Sequence, residues 1–170
     1  MMNQERYAKL QSVLDEQEKL LCFDRFSNQD AWELGSYLTN KVYNEGIEMA
    51  IAIRRMTGSI LFQHCTEKTS MNNQNWMTRK FHTVGLMECS SLKAWVKSEV
   101  TGETIARHGL SDTEYVFCGG GFPVRLKTGE LVAVITVSNL PHQLDHEFIT
   151  TALSEWLKVQ DVPGITAFFD

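Results

Sequence analysis

The sequence lacks most of the short motifs that assign a function directly. It has no Gly-x-Ser-x-Gly elbow and no glycine-rich loop followed by Lys-Ser or Lys-Thr, so it carries no signature of an α/β-hydrolase or of a phosphate-binding loop. It also has no run of about 18 apolar residues, the length at which a segment becomes a candidate membrane helix. We therefore expect neither a membrane-spanning protein nor an enzyme of these two classes.

The sequence also carries more negative than positive charge. The formal net charge is −5 and the isoelectric point is about 5.5, whereas a nucleic-acid-binding surface needs a concentrated basic face. The first ten residues, MMNQERYAKL, are polar and lack the apolar core of a signal peptide. These features predict a cytoplasmic protein that binds neither nucleic acid nor a membrane.

The chain has few cysteines, and they are far apart. There are four and no Cys-x-x-Cys pair, so a zinc ribbon or a thioredoxin-like motif is unsupported. In a reducing compartment the simplest prediction is that they are buried as small apolar side chains: Cys22, Cys65, Cys89 and Cys118. The length of 170 residues, 43% of them hydrophobic, and the absence of repeats or linkers predict a single domain over residues 1–170.

Five segments have the apolar spacing of amphipathic helices. They cover about residues 3–21, 28–44, 71–88, 91–100 and 144–159. Ser27 and Asp30 have the spacing of a capping box at the start of the second helix, and Gly46 is placed to end it in a left-handed conformation. The first helix has one apolar stripe on an otherwise polar surface, so we expect it to be peripheral.

Five shorter segments have strand-like patterns, at about residues 22–26, 47–53, 59–65, 122–127 and 131–137. Met56-Thr57-Gly58 and Thr128-Gly129-Glu130 supply tight turns, so neighbouring strands are predicted to be antiparallel. The predicted fold class is α+β: a single domain in which an antiparallel sheet of about five strands is covered by helices, with a peripheral N-terminal helix. The tail, residues 165–170, is apolar for a terminus and is predicted to dock on the body or on a partner.

The start of the last predicted helix carries His142, Asp145 and His146. The two histidines are four residues apart on one helical face, so they could bind one metal ion, with Asp145 as an orienting group or an oxygen ligand. Because no third ligand has a suitable spacing, these residues also suit a polar first turn or a small-molecule pocket. We assign them to a pocket and assign no metal site.

A second candidate surface lies on the third predicted helix, where Trp76, Arg79 and Lys80 share a face. Arg79 and Lys80 could hold a carboxylate or a phosphate, with Trp76 as an apolar wall. The same three side chains would also suit a solvated face or a face between subunits.

The third candidate is the glycine run Gly119 to Gly121 and the strand that follows it. Glycine lets the backbone bend or pass close to another group, and three successive N–H groups could also cradle an anion. Phe122 and Arg125 follow directly, so we include both in the predicted pocket. This pocket requires Arg125 and His146 to be neighbours in space.

Several longer motifs together resemble one known family. They are Asp30-Ala31-Trp32-Glu33-Leu34-Gly35, Asn73 to Lys80, Gly119 to Arg125 and Val137 to Pro141. This set is similar to the haem-degrading-domain family, the HbpS and GlcG-like proteins, and above all to its uncharacterised UPF branch. Asn139 stands where the resemblance implies glycine, and Asn72 where it implies aspartate. The resemblance implies a fold and a homo-oligomeric habit, whereas the link to haem belongs to relatives.

The leading hypothesis is therefore a homo-oligomeric protein that binds a small ligand or acts through assembly, without demonstrated catalysis. No cofactor can be assigned, and haem enters by family resemblance only. The alternatives are a haem-binding or haem-degrading protein, a metal-assisted enzyme using His142 and His146, and an interaction module for a protein partner. The predicted binding region lies between the helix bearing Trp76 and Lys80 and the start of the last helix.

Overall fold

Four antiparallel strands form the central sheet of the computed structural model, which describes residues 4–169. The strands are β1 (Ala50–Arg55), β2 (Ile60–Cys65), β3 (Gly121–Arg125) and β4 (Leu131–Ser138). Their order is β2-β1-β4-β3, so two hairpins lie side by side and β1 pairs with β4. The predicted helix start at Asn3 and the last tail residue, Asp170, lie outside the described residues.

Five helices surround the sheet, as predicted. They are α1 (Gln4–Leu20), α2 (Asn28–Asn44), α3 (Met71–Met87), α4 (Ser91–Thr101) and α5 (His142–Leu157). Short 3-10 helices occur at Ile105–His108 and Thr166–Phe168. The predicted α+β class is confirmed. No helix among residues 4–169 combines the length and the apolar character needed to cross a bilayer.

The predicted count of about five strands is one too high. Residues 22–26 contribute a single parallel bridge, between Phe23 and Leu126. The Phe23 N–H donates to the Arg125 carbonyl at 2.9 Å, and the Lys127 N–H donates to the Phe23 carbonyl at 2.8 Å. The segment therefore lies beside the end of β3 without continuing as a strand, although its apolar pattern is that of one.

The residues predicted to begin and end α2 have the expected hydrogen bonds and backbone conformation. The Asp30 N–H donates to Ser27 Oγ at 3.1 Å, and the Ser27 N–H donates to Asp30 Oδ2 at 2.6 Å, which completes the capping box. Gly46 has a φ of +64°, the left-handed conformation expected after the helix. The boundaries of α2 are thus fixed by short-range hydrogen bonds.

The two faces of the sheet are covered by different helices. Ile51 and Ile53 of β1 pack with α2 and α5 in the largest core cluster. The alternate residues, Ala50 and Ala52, face α3 on the other side and pack with Met77. This alternation is the two-residue period of a strand that is buried on both faces.

A smaller core lies outside the sheet and holds α1 in place. Tyr7, Leu10 and Leu14 of α1 are buried with Leu92 of α4 and Ile165 of the tail. Phe168 and Phe169 pack against the same cluster. The predicted docking of the tail is therefore confirmed for residues 165–169, and its partner is the body of the same chain.

Candidate functional site

A cavity of about 460 Å³ lies between the first half of α3 and the start of α5, within the size range of small-molecule sites. Its lining combines aromatic side chains with amide, hydroxyl, thiol, imidazole and charged groups. The lining residues are Asn72, Asn73, Trp76, Lys80, Trp95, Phe117, Cys118, Ser138, Asn139, Leu140, His142 and Asp145. This is the region in which the sequence predicts a binding site.

The glycine run allows the two helices to approach each other. A Cβ on Gly119 would lie 2.1 Å from the His142 carbonyl oxygen, and one on Gly120 would lie 2.6 Å from Lys80 Nζ. Gly120 also has a φ of +106°, which side chains other than glycine rarely adopt. The prediction of a close backbone approach is confirmed.

The same run is poorly suited to cradle an anion. The Gly119 N–H donates to His142 Nδ1 at 3.2 Å, and the Gly121 N–H donates to Ser91 Oγ at 2.9 Å. Because two of the three amides already have protein acceptors, the alternative of a glycine nest loses its donors.

An ion pair between Lys80 and Asp145 forms the floor of the cavity. Lys80 Nζ lies 2.9 Å from Asp145 Oδ2 and donates a further hydrogen bond of 2.8 Å to the Val137 carbonyl. Asp145 Oδ1 accepts from the Leu140 N–H at 3.0 Å. Both charged residues are 2% exposed, so α3, β4 and α5 meet at one buried electrostatic contact.

Burial changes the acidity of the carboxyl group in this pair. Loss of solvent raises the pKa of Asp145 to about 6, although Lys80 and the backbone N–H donors favour the charged form. The carboxyl group therefore titrates near the lower end of the physiological pH range.

His142 lines the cavity as a neutral imidazole. Its pKa is lowered first by burial and then by the positive charge of Lys80. Since the Gly119 N–H donates to Nδ1, the ring proton is assigned to Nε2, and His142 acts as a donor through that atom. The ring lies 4.9 Å from the Trp95 ring, centroid to centroid, in an edge-on arrangement.

His146 is completely buried beneath the cavity and has a different set of contacts. Gln17 of α1 donates from Nε2 to the Pro163 carbonyl at 2.7 Å, which turns its Oε1 toward His146 Nε2 at 2.8 Å. Nδ1 of His146 has no hydrogen-bond partner among residues 4–169. Burial, followed by the influence of His142, lowers the pKa of His146 to about 3.

The two histidines have different hydrogen-bond partners, although they lie four residues apart on α5. His146 uses Nε2 for Gln17, and no group of three His, Cys, Asp or Glu side chains among residues 4–169 could hold a metal ion. The shared metal site considered for His142 and His146 therefore has no ligand set in the described part of the chain.

Two of the aromatic walls of the cavity come from the helices α3 and α4. The Arg79 guanidinium carbon lies 4.6 Å from the centre of the Trp76 ring, and Arg79 Nε donates to the Tyr115 carbonyl at 3.4 Å. These contacts hold Trp76 from α3 in place. Trp95 of α4 forms another wall and also touches Phe169 of the tail.

The rim is held together by Asn73, the third residue of α3. Its Oδ1 accepts from the Ser70 N–H at 2.9 Å in the capping box of the helix. Its Nδ2 donates to Ser138 Oγ at 3.2 Å and to Asn139 Oδ1 at 3.3 Å. One amide thus joins the start of α3 to the loop between β4 and α5.

The structure brings together most of the predicted site residues, whose binding role stays a prediction. Trp76, Lys80, His142 and Asp145 line the cavity. Behind these lining residues, Phe122 and His146 are fully buried with their rings 5.8 Å apart, and Arg79 lies behind Trp76.

Arg125 is the exception, and its expected proximity to His146 does not hold. Its guanidinium group donates to the Glu88 carbonyl at 2.7 Å and to the Gly129 carbonyl at 2.8 Å. The physical reason is that Arg125 ends β3, four residues beyond the glycine at which the strand begins beside α5. It belongs to the hairpin end of the sheet and does not line the cavity.

Sequence reasoning missed several residues that build the site. Trp95 and Phe117 line the cavity from segments distant in sequence from α3 and α5, so local patterns do not indicate that they form its walls. Gln17 could have been predicted from the sequence, since it is a polar residue that interrupts the apolar stripe between Leu14 and Leu21. In the structure it is only 1% exposed. A polar residue in such a stripe indicates a buried hydrogen-bond partner.

The cysteine prediction holds for one residue of four. Cys89 is buried, whereas Cys22 and Cys118 are partly buried and Cys65 is exposed on β2. Burial raises the pKa of the Cys118 thiol, so the cavity presents a protonated thiol and not a thiolate.

Comparison with known proteins identifies the family. The family described as haem degrading protein HbpS-like matches residues 26–154. A UPF0303 protein of Paraburkholderia xenovorans is 37% identical over 142 residues, covering 83% of this chain and 86% of that protein. A UPF0303 protein of Paraburkholderia phymatum is 37% identical over 145 residues, covering 85% and 87%.

Solved structures share the fold at low sequence identity. The crystal structure of Ybr137w protein has a TM-score of 0.80 and 24% identity, with 93% of this chain and 96% of that chain covered. The crystal structure of a PduOC:heme complex has a TM-score of 0.62 and 16% identity, with 76% and 93% covered. These structures show the fold, whereas the family match over residues 26–154 and the UPF0303 relatives show that the chain belongs to the family described as haem degrading protein HbpS-like and to its UPF0303 branch.

Proposed function

We propose that the protein binds a flat, largely apolar small molecule with polar groups at its edge, in the cavity between α3 and α5. The observation that carries this proposal is the lining itself. Trp76, Trp95 and Phe117 offer apolar surface, while the floor and rim offer polar groups at fixed positions. Aromatic walls with a few oriented polar groups are the usual composition of a ligand site.

The polar groups are held in place before a ligand arrives. Lys80 is fixed by Asp145 and the Val137 carbonyl, and Asn73 by its bonds across the rim. Preorganised groups of this kind lose little conformational entropy on binding, which favours a defined ligand over loose apolar adsorption.

Haem is the specific candidate that the family indicates. The residues that line the cavity suit its macrocycle better than its iron. The aromatic walls, Trp76 and Trp95, would hold the flat macrocycle, and its iron would supply redox and ligand-binding chemistry when bound. Iron ligation fits less well, because His142 carries its proton on Nε2 while Gly119 donates to Nδ1. His142 would have to give up this hydrogen bond to ligate iron through Nε2.

Titration with haemin tests the proposal. We expect quenching of tryptophan fluorescence and a Soret band that saturates at one haemin per chain. Trp76→Leu should weaken binding by about tenfold, because it removes one stacking surface. The matched control is Trp32→Leu, since Trp32 is 60% exposed and packs on Phe62 of β2, away from the cavity lining. Equal weakening by the two variants, or no saturable binding, would contradict the proposal.

We also propose that the protein self-associates through the edge strand β2. This strand ends the sheet, and its sequence, ILFQHC, contains no Asp, Glu, Lys, Arg or Pro to discourage pairing. Ile60, the first residue of β2, is 50% exposed, and Trp32 packs on Phe62 of the same strand at a ring distance of 5.9 Å. An uncharged edge with adjacent apolar side chains suits an antiparallel pairing with a second copy.

Light scattering coupled to size-exclusion chromatography tests this second proposal. The expected mass is a multiple of the 19.4 kDa chain. Gln63→Lys places a charge on β2 and should lower the mass, whereas Gln160→Lys, beyond α5, should not. A strict monomer at micromolar concentration would overturn the proposal.

A further inference from the structure

We infer that the floor of the cavity is an anion subsite, in which Lys80 and the start of α5 hold a carboxylate or another oxyanion of the ligand. This inference rests on the proposed function and adds the chemical class of the ligand. It predicts that the molecule bound is an acid, with its charged group inward and its flat apolar part between the aromatic walls.

Lys80 has a hydrogen-bond donor that the protein does not use. Its ammonium group has three hydrogens, of which one is donated to Asp145 Oδ2 and one to the Val137 carbonyl. No third acceptor for Lys80 occurs among residues 4–169, although the side chain lines the cavity and is 2% exposed. A buried donor without a partner is costly, so an acceptor supplied by the ligand would be favoured.

The start of α5 adds a second source of positive potential at the same place. Pro141 is the N-cap of this helix, and no side chain caps the end within residues 4–169. The N–H groups of His142 and Gln143 have no acceptor among residues 4–169, whereas those of Leu144 and Asp145 donate to the Pro141 carbonyl. The helix dipole favours a negative charge at this end. Leu140 and His142, on either side of the cap, both line the cavity.

His142 contributes a third donor of suitable polarity. Because Nδ1 accepts from Gly119, the remaining ring nitrogen carries the proton and can donate. Three kinds of donor thus surround one part of the cavity: an ammonium group, helix amides and an imidazole N–H.

Asp145 is the group that opposes an anion, and its position must be weighed. Its carboxylate is bonded to Lys80 at 2.9 Å and to the Leu140 N–H at 3.0 Å, so both of its oxygens are already engaged. When ionised it neutralises Lys80, which leaves the N–H groups at the start of α5 and the His142 N–H as the groups that favour an anion. When protonated, as its raised pKa favours below about pH 6, it leaves the full charge of Lys80 for the ligand.

Deuteroporphyrin IX and its dimethyl ester separate this inference from the proposed function. Both are flat, and neither contains iron, so they differ mainly in the charge of two carboxylates. Esterification makes the probe more apolar, and a purely apolar cavity would therefore prefer the ester. We expect the opposite, with the acid bound at least about tenfold more tightly at pH 7, as for a hydrogen bond between charged groups.

A pair of double variants gives the matched control. Lys80→Met with Asp145→Asn removes the subsite without leaving an isolated buried charge, and it should abolish the preference for the acid. Lys127→Met with Asp24→Asn removes an exposed pair, 2.8 Å long, and should preserve that preference. Both proteins lose one positive and one negative charge, so their net charges stay equal.

The outcomes are distinct. Preference for the acid in the protein and in the surface double variant, lost in the Lys80 and Asp145 double variant, supports the subsite. Equal affinity for acid and ester, or tighter binding of the ester, overturns the subsite and leaves the binding proposal intact. Failure of both porphyrins to bind overturns the binding proposal itself.

Discussion

Lys80 of α3 and Asp145 of α5 form an ion pair 2.9 Å long in which both side chains are 2% to 3% exposed. The pair connects the two helices that enclose the cavity, one on each side of β4. A buried ion pair is weak evidence for stability, because desolvation offsets much of the attraction, but each partner depends strongly on the other. The pair therefore determines the shape of the cavity floor more than it adds to the total stability.

The first prediction concerns this dependence. Asp145→Asn leaves Lys80 as a buried charge without a counter-ion and should lower the free energy of unfolding by about 3 kcal/mol or more. The double variant Lys80→Met with Asp145→Asn should be less destabilised than Asp145→Asn alone. Urea unfolding monitored by tryptophan fluorescence measures both. If the double variant were destabilised as much as Asp145→Asn alone, or more, the pair would not be coupled as described.

The second prediction compares two glycines with nearly the same φ angle. Gly120 and Gly129 have φ values of +106° and +104°, but only Gly120 has atoms within 3 Å of an added Cβ. Gly129→Ala should therefore cost about 1 kcal/mol from backbone strain alone. Gly120→Ala should cost about 1 to 3 kcal/mol more, because Lys80 and Asp145 must move. Equal losses in chemical denaturation would mean that the close packing at Gly120 does not exist.

Much of this fold follows from local sequence patterns. The five helices were predictable because their apolar spacing and caps, such as Ser27 with Asp30, are short-range features. The general place of the cavity was also predictable, since Trp76 with Lys80 and His142 with Asp145 put polar and aromatic groups at two helix starts.

The remaining features depend on pairings that local patterns do not encode. The segment around Phe23 has the composition of a strand, but only its long-range neighbour, Leu126, limits it to one bridge. Arg125 follows the glycine run closely in sequence, yet the direction of β3 carries it to the far end of the sheet. Similarly, the partner of His146 comes from α1, where Gln17 is 129 residues away in the chain.

The third prediction concerns the pH dependence of stability. Burial lowers the pKa of His146 to about 3 from its ordinary value of 6.5, so the folded protein keeps this ring neutral. The unfolded chain takes up a proton below pH 6.5, which favours unfolding. The stability that the neutral ring contributes is therefore fully present above pH 6.5. It is lost as pH falls toward 3, at up to about 1.4 kcal/mol per pH unit.

Denaturation at a series of pH values checks this contribution by comparison of variants. His146→Gln should show a shallower loss of stability than the unchanged protein between pH 6.5 and 4. His108→Gln is the comparison variant, since it also removes one histidine but at an exposed position outside the buried site. Asp145 has a raised pKa and should therefore add stability as pH falls, which is the opposite of the effect of His146. Because all three proteins contain Asp145, comparing their slopes cancels this effect. Identical slopes for the three would show that His146 is not held neutral.

The last prediction tests the loop that joins β4 to α5. Asn139 has a φ of +150°, a region in which residues with a side chain are strained. Its side chain compensates by donating from Nδ2 to the Glu48 carbonyl at 2.9 Å and by accepting from Asn73 through Oδ1 at 3.3 Å. Asn139→Gly and Asn139→Ala both remove these bonds, but only alanine keeps the strain.

The difference in stability between these two variants therefore measures the cost of holding a residue with a side chain at a positive φ. Asn139→Ala should unfold at a lower urea concentration than Asn139→Gly, by an amount equivalent to about 1 kcal/mol or more. The glycine variant should also stay close to the unchanged protein, because relief of strain offsets the two lost hydrogen bonds, of which at least one is exposed. Equal stability of the alanine and glycine variants would mean that the loop does not need a positive φ, and the rim of the cavity would then lack the fixed geometry on which the proposed ligand binding depends.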